Sequence, residues 1–198
     1  GALELMFRLR GYLAEIADSR GALGLEVIEF EGGHPVRDTA VGFILFDNDF
    51  LNSGFTTVTP LELMRVTAAH EFMHAVQDAY ETDDQRLPDG TLNFWYSEAT
   101  SAWGEKEVVP GIDAILERLP GWFEYPETAL DAYGAEMGHE EHEYGSMLLN
   151  VLLTAKYGPA TVRRVWESLS RQPDGTDLTS IQALDVVLNE VGSSRPDL

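Results

Sequence analysis

The chain contains no cysteine, which excludes disulfides, a thiolate nucleophile and any Cys-ligated metal site. Basic residues are scarce: 13 Lys and Arg stand against 34 Asp and Glu, for a formal net charge of −21. The lysines are Lys106 and Lys156 alone. A field of that sign repels phosphate backbones and anionic lipid surfaces, so neither a nucleic acid nor a membrane is expected as partner. It favours solubility, suits a salty or extracellular setting, and would suit basic peptides in an acidic cleft. No apolar run approaches the ~20 residues of a membrane span, and no basic-then-apolar leader opens the chain. Gly1-Ala2 reads as a processed or trimmed end. Internal repeats and low-complexity segments are also missing.

What remains is 198 residues, 44% of them apolar, enough for one domain with its own core. Leu5, Leu9, Leu13 and Ile16 recur at helical spacing and predict a helix over Glu4–Ala17, broken by Gly21 and Gly24. Leu25–Phe30 alternates as a half-buried strand, Gly32-Gly33-His34-Pro35 is a turn in which His34 is a plain turn residue, and Val41–Phe46 is a second, more apolar strand. Asp47-Asn48-Asp49 follows. Three oxygen-bearing side chains there could hold calcium, but Asp and Asn also favour strand-ending turns, and the turn is the reading adopted.

Thr59-Pro60-Leu61-Glu62 carries an N-cap Thr, Pro at the first helical position and Glu three residues after the cap, the pattern of a capping box. The helix it starts is apolar around most of its circumference through Ala79, which predicts a buried core helix. Thr82–Asn93 reads as a loop. Helical patterns follow at Trp95–Val108, Ile112–Leu119, His142–Tyr157, Ala160–Arg171 and Thr179–Val191, punctuated by Gly158-Pro159 and Pro173-Asp174-Gly175. Gly192-Ser193-Ser194 looks like a helix stop. Strands in the first quarter and helices thereafter imply an α+β class. The expected organisation is a single domain over residues 1–198, with a small sheet and the first core helix in 1–81 and a mainly helical lobe in 82–198.

Within the first core helix, His70-Glu71-Phe72-Met73-His74 spells H-E-x-x-H. Positions i and i+4 project from one helix face, so His70 and His74 can hold one metal ion together. Glu71 then stands beside the metal's open position, where it can take a proton from a water. Burying two His and a Glu among apolar neighbours costs several kcal/mol, on the order of a polar group left unpaired, unless they have strong partners. A metal supplies them. A third ligand is sought in Trp95–Glu105, where Glu98, Ala102 and Glu105 share a helix face and Trp95 and Trp103 are large packing residues. Glu on a helix is ordinarily a solvated acid, so the residues alone leave Glu98 a candidate.

H-E-x-x-H followed by W-x-x-E-x-x-A-x-W-x-E resembles the gluzincins, zinc metallopeptidases whose third ligand is a Glu on a downstream helix. Phe46–Phe50, Val66–Gln77, Glu98-Ala99-Thr100, Glu143-Tyr144-Gly145-Ser146, Lys156-Tyr157-Gly158 and Arg164–Glu167 are together similar to a group of uncharacterised bacterial secreted metalloproteases, from about residue 40 to 190. The resemblance implies a zincin-like fold, an extracytoplasmic location, one zinc ion on His70, His74 and Glu98, and Glu71 as general base. It also implies that Val41–Phe46 is the edge strand lying over the cleft and pairing with an extended peptide. The sequence departs from many gluzincins at Ala102, where an Asp orients the first His. Glu105 or a backbone carbonyl is then expected to hold His70.

An oxyanion donor is sought among Tyr144 and His142, with Tyr144 first. Tyr144 also fits a plain core position. His139 and His142 have a spacing that fits a second metal, but their acidic, Gly-flanked surroundings read as exposed and that reading is set aside. The function expected is a zinc-dependent peptidase acting on peptide or protein substrates. No segment clearly supplies the extra Glu that holds a free amine in aminopeptidases of similar motif, which favours internal cleavage. The alternatives are an inactive zinc-binding module that uses the cleft for a protein partner, and a hydrolase of a non-peptide amide.

Overall fold

In a computed structural model, the residues described are 11–14, 23–29, 41–51, 53–80, 94–133, 141–169 and 178–193, with 11–14, 26–29, 41, 42 and 193 described in backbone alone. Three strands form one sheet in the order β1-β3-β2, where β1 is Gly11–Ala14, β2 Gly24–Glu29 and β3 Val41–Asp47. β3 lies in the middle, parallel to β1 from Gly11↔Ile44 to Ala14↔Asp47 and antiparallel to β2 from Gly24↔Phe46 to Glu29↔Val41. Its nearly continuous apolar run is what a strand covered on both faces requires, and Ile44 is fully buried.

Two expectations fail here. Residues 11–14 of the predicted Glu4–Ala17 helix are strand β1. Gly11 costs about 1 kcal/mol in a helix interior, and pairing with β3 satisfies backbone groups that a central strand would otherwise leave open. Val41–Phe46 is also not an edge strand, since both its sides are occupied. The remainder of the Glu4–Ala17 segment, the turn with His34, the Thr82–Asn93 loop and His139 lie outside the described residues.

Helix α1, Pro60–Gln77, begins with the capping box: Thr59 Oγ1 accepts from the Glu62 amide at 3.3 Å, and Glu62 Oε2 accepts from the Thr59 amide at 2.9 Å. α1 packs on β2, β3 and helix α2, Trp95–Val108. It is not buried all round. Leu63, Val66 and Ala75 are buried, whereas Leu61 and Phe72 are more than half exposed, because sheet and α2 cover only part of its circumference. After α2 the chain forms a 3₁₀ turn, Ala114–Glu117, and then α3, Leu119–Glu124, in place of one Ile112–Leu119 helix. Pro120 is tolerated only in a first helical turn, so the helix restarts there.

The predicted His142–Tyr157 helix divides at Ser146 into α4, His142–Gly145, and α5, Met147–Tyr157. Gly145 is packed so closely on Trp122 that a Cβ would stand 2.0 Å from the indole Cδ1. α6, Ala160–Leu169, and α7, Ser180–Ser193, complete the described chain. The main core joins Trp95, Ala99 and Ala102 of α2 to Met147, Val162, Val165, Trp166, Leu184 and Val187. A second cluster of Phe50, Leu63, Val66 and Ala114 lies on the sheet side of α1. The architecture is mixed and mostly helical, with α1 and α2 between a small sheet and a helical bundle.

Candidate metal centre

α1 and α2 approach closely because α2 turns small residues toward its partner. A Cβ at Gly104 would stand 3.3 Å from Met73 Cε, and Ser97, Ser101 and Ala102 are buried. His70 and His74, one turn apart, have ring centres separated by 4.8 Å. Glu98 Oε2 reaches between them, 3.0 Å from His70 Nε2 and 3.6 Å from His74 Nε2. One ligand atom from each of the three residues lies within 4.8 Å of the others. The cluster could hold a metal ion, and two imidazoles with one carboxylate are a donor set suited to borderline metals such as zinc.

Each imidazole is also held from behind. His70 Nδ1 stands 2.8 Å from Glu105 Oε1, so Glu105, two turns after Glu98, takes the place that Ala102 leaves empty. His74 Nδ1 stands 2.9 Å from Gln77 Oε1 and 3.0 Å from Ser97 Oγ. Gln77 is almost fully buried, and its Nε2, with two hydrogens to give, stands 3.0 Å from the Ser97 carbonyl, 2.8 Å from Thr100 Oγ1 and 3.0 Å from Ser101 Oγ. A backbone carbonyl only accepts, which fixes the amide orientation and leaves Oε1 to accept from His74. Nδ1 therefore carries a proton, which leaves Nε2 as the nitrogen that faces Glu98 and would ligate an ion.

Without a metal the cluster holds protons. Burial pulls the His70 imidazolium down, but the Glu105 and Glu98 carboxylates outweigh it and raise its pKa to about 10. For His74 burial is likewise opposed and overcome, chiefly by the Glu98 charge. Burial pushes the Glu98 carboxyl up, and the two imidazoles carry it well below the ordinary range. These are the shifts expected where a dication's site is filled by protons instead.

A cleft of about 350 Å³ opens beside the cluster, lined by Leu23, Gly24, Phe55, His70, Glu71, Glu105, Arg118, Glu141 and Tyr144 among others. Glu71 is buried at its wall. The start of β2 runs so near that a Cβ on Gly24 would stand 2.6 Å from Glu71 Cγ and 2.7 Å from its Oε1. Only glycine fits there. The Tyr144 ring centre lies 5.8 Å from that of His70, and burial, with the Glu98 charge, lifts its hydroxyl well above the ordinary range against the pull of Arg118. It stays protonated and can donate.

His142 does not join this group. It is buried with its ring stacked on Trp122, centres 5.6 Å apart and planes 9° from parallel, and it is not among the described residues lining the cleft. Its expected exposure is corrected: Trp122 covers it. In the Asp47–Asp49 segment, Asp47 Oδ2 accepts from the Phe50 amide at 2.6 Å and Asp49 Oδ1 from the Leu51 amide at 2.9 Å, the bonding of a turn that ends β3.

Sequence reasoning passed over Gln77, Gly24 and Arg118. Gln77 had a usable signal, since it lies three residues after His74 on the same helix face. The other two enter the site through contacts between distant elements, which no local pattern announces. No family model, curated protein or solved structure matches the chain.

Proposed function

We propose that the chain is a zinc-dependent metallopeptidase of zincin-like fold that cleaves peptide bonds internally, in an extracytoplasmic setting. The observation that carries the reading is the meeting of two imidazole nitrogens and one carboxylate oxygen beside a buried glutamate in an open cleft. A cluster kept only for packing would have no use for a buried Glu71 in the wall of the same cavity. No helix among the described residues is long and apolar enough to cross a membrane.

Zinc on His70, His74 and Glu98 would supply Lewis-acid polarisation of a carbonyl and a water acidic enough to ionise near neutrality. Glu71 takes the proton of the attacking water and passes it to the leaving amine nitrogen. Tyr144 donates its hydroxyl to the carbonyl oxygen as that oxygen gains charge. Glu105 and Gln77 hold the two imidazoles in the tautomers that direct Nε2 toward the ion. With β3 enclosed on both sides, an extended substrate would meet the start of β2, the strand that touches Glu71.

The test is cleavage of a mixed peptide library by zinc-loaded protein beside its Glu71→Gln variant, read by mass spectrometry. We expect internal cuts that fall by about a thousandfold in the variant while zinc stays bound. Equal cleavage by both would reject Glu71 as the base. No cleavage by either, with zinc bound, would favour the module that only binds a partner.

A further inference from the structure

Arg118 is the arginine among the described residues of the cleft wall, which also carries His70, Glu71, Glu105 and Glu141. In a chain with 13 basic residues against 34 acidic ones, a partly buried arginine at that place needs a reason. It follows the 3₁₀ turn Ala114–Glu117, and its side chain is 21% exposed. The guanidinium carbon lies 4.1 Å from the Tyr144 ring centre and 5.3 Å from that of Phe55. Glu141 Oε1 stands 3.7 Å from Nε, at the longer end of an ion pair and on a half-exposed side chain.

This arrangement suits a ligand. The guanidinium lies over the Tyr144 ring and also donates to its hydroxyl, which fixes its place and leaves N–H groups on its remaining edge for a ligand. That edge matches a carboxylate, which can accept two parallel N–H bonds. The guanidinium is 4.1 Å from the Tyr144 ring and that ring is 5.8 Å from His70, so the cation is within about 10 Å of a ligand imidazole. Extended peptide rises about 3.3 Å per residue. A group some two or three residues from a bond held over the cluster can therefore reach Arg118.

We propose that Arg118 reads the substrate: it receives a carboxylate lying two or three residues from the bond held over His70, His74 and Glu98, so that peptides carrying that carboxylate bind in preference to neutral ones. The inference rests on the peptidase reading for the identity of the substrate, and not for the binding itself. It also runs against the basic-peptide preference that overall charge suggests, because a carboxylate in contact with a fixed cation answers to that cation first, and Glu141, at 3.7 Å and half exposed, is a partner it can displace. The carboxylate has two sources, the C-terminus of a short peptide or an Asp or Glu side chain within a longer one. A terminal source would make the enzyme a trimmer of C-terminal ends.

The experiment measures peptide binding to zinc-loaded Glu71→Gln protein, in which cleavage does not intervene. Matched peptides carry a free C-terminus or its amide, and separately Asp or Glu against Asn or Gln. Loss of the carboxylate is expected to weaken binding by about tenfold or more, the size of one charge-assisted pair. The same ratio should fall below about twofold in Arg118→Gln and remain intermediate in Arg118→Lys, which keeps charge without the fork. A residue that merely props Tyr144 would change melting temperature or overall affinity, not that ratio. Whichever pair of peptides shows it names the source.

Equal binding of carboxylate and neutral peptides, no binding by any of them, or a preference intact in Arg118→Gln would each overturn the proposal. If Arg118→Gln does not fold, the ratio in the parent and in Arg118→Lys decides. Cleavage by the protein with Glu71 intact is scored separately. Preference without cleavage leaves Arg118 assigned and rejects the peptidase, and cleavage without preference does the reverse.

Discussion

The α1–α2 wall of the cleft buries its polar groups and satisfies them internally, whereas the wall facing it is joined across solvent. On the first wall Gln77 places its amide among His74, Ser97, Thr100 and Ser101, and Glu105 closes on His70. On the second, the loop at Thr56 and Thr57 is tied to the 3₁₀ turn by exposed hydrogen bonds to Glu117, beside the packing of Phe55 on the cluster that includes Ala114, and Lys106 pairs with Asp113 on a half-exposed edge. Buried hydrogen bonds are costly to leave unmade and exposed ones are readily replaced by water. On the proposed reading the first is the ligand wall, held by buried bonds, and the second the substrate wall, whose exposed bonds would yield more readily to different peptides.

The largest break in that comparison is removal of a ligand. Glu98→Ala is expected to lower zinc affinity by a hundredfold or more, exceeding the usual effect of a residue that only supports a ligand. Competition with a chromogenic chelator measures it. Retention of full affinity would exclude Glu98 as the third ligand. It would leave His70 and His74 to find another.

Gln77→Leu should follow, with zinc affinity reduced about ten- to a hundredfold through the loss of His74's acceptor. Stability should fall by about 2–3 kcal/mol, because donors and acceptors on α2 lose their buried partner. Chemical denaturation of the metal-free protein isolates the second effect. A loss of stability with unchanged affinity would make the network structural and leave His74 oriented by Ser97 and Ser101.

How far these walls could be read from sequence differs in the same way. The H-E-x-x-H pair and the Thr59 capping box are properties of one helix, so residue spacing suffices to locate them. Glu98 came from resemblance to a family, since an acid on a helix face has no local mark of ligation. Glu105 entered as one of two ways to replace the Asp that Ala102 displaces. The other wall depends on chain segments meeting across the fold: Arg118 reaches Tyr144 and Phe55 from a turn whose pattern predicted an ordinary helix. Strand order is equally non-local. The apolar run of β3 fits a central strand, yet its likeness to a cleft-edge strand pointed the other way, and β1 was hidden in a segment with helical periodicity.

The ligand wall should also respond to pH in a way the substrate wall does not. In the metal-free protein His70 is raised from 6.5 to about 10, so its contribution to stability is complete below pH 6.5 and is lost as pH rises through about 10. Glu98 is lowered from 4.5, so its contribution is present above pH 4.5 and is lost as pH falls through its depressed value. Metal-free protein should therefore be most stable between these limits. Zinc must displace the protons from His70 and His74, so stabilisation by a fixed zinc concentration should grow from pH 6 to pH 9. Melting with zinc and with chelator across that range checks both. A constant difference would mean the imidazoles bind without losing protons, contrary to the geometry.

The smallest effect is expected from Glu117→Ala, and it sharpens the comparison because it should stay local. Thr57 and then Thr56 donate to this exposed carboxylate and hold its pKa down at about 2. Its contribution is therefore present above pH 4.5 and disappears only as pH falls through about 2, outside any working range. Removing it frees the Thr56 and Thr57 amides to exchange with solvent and loosens the loop that carries Phe55. Hydrogen exchange should rise at those amides and leave the centre of α1, around His70, unchanged. Zinc affinity should also be unchanged, while peptide affinity shifts through Phe55 and the adjoining Arg118. If exchange instead rose along α1, the two walls would form one cooperative unit, and adjustment to substrate could not be confined to the outer side of the cleft.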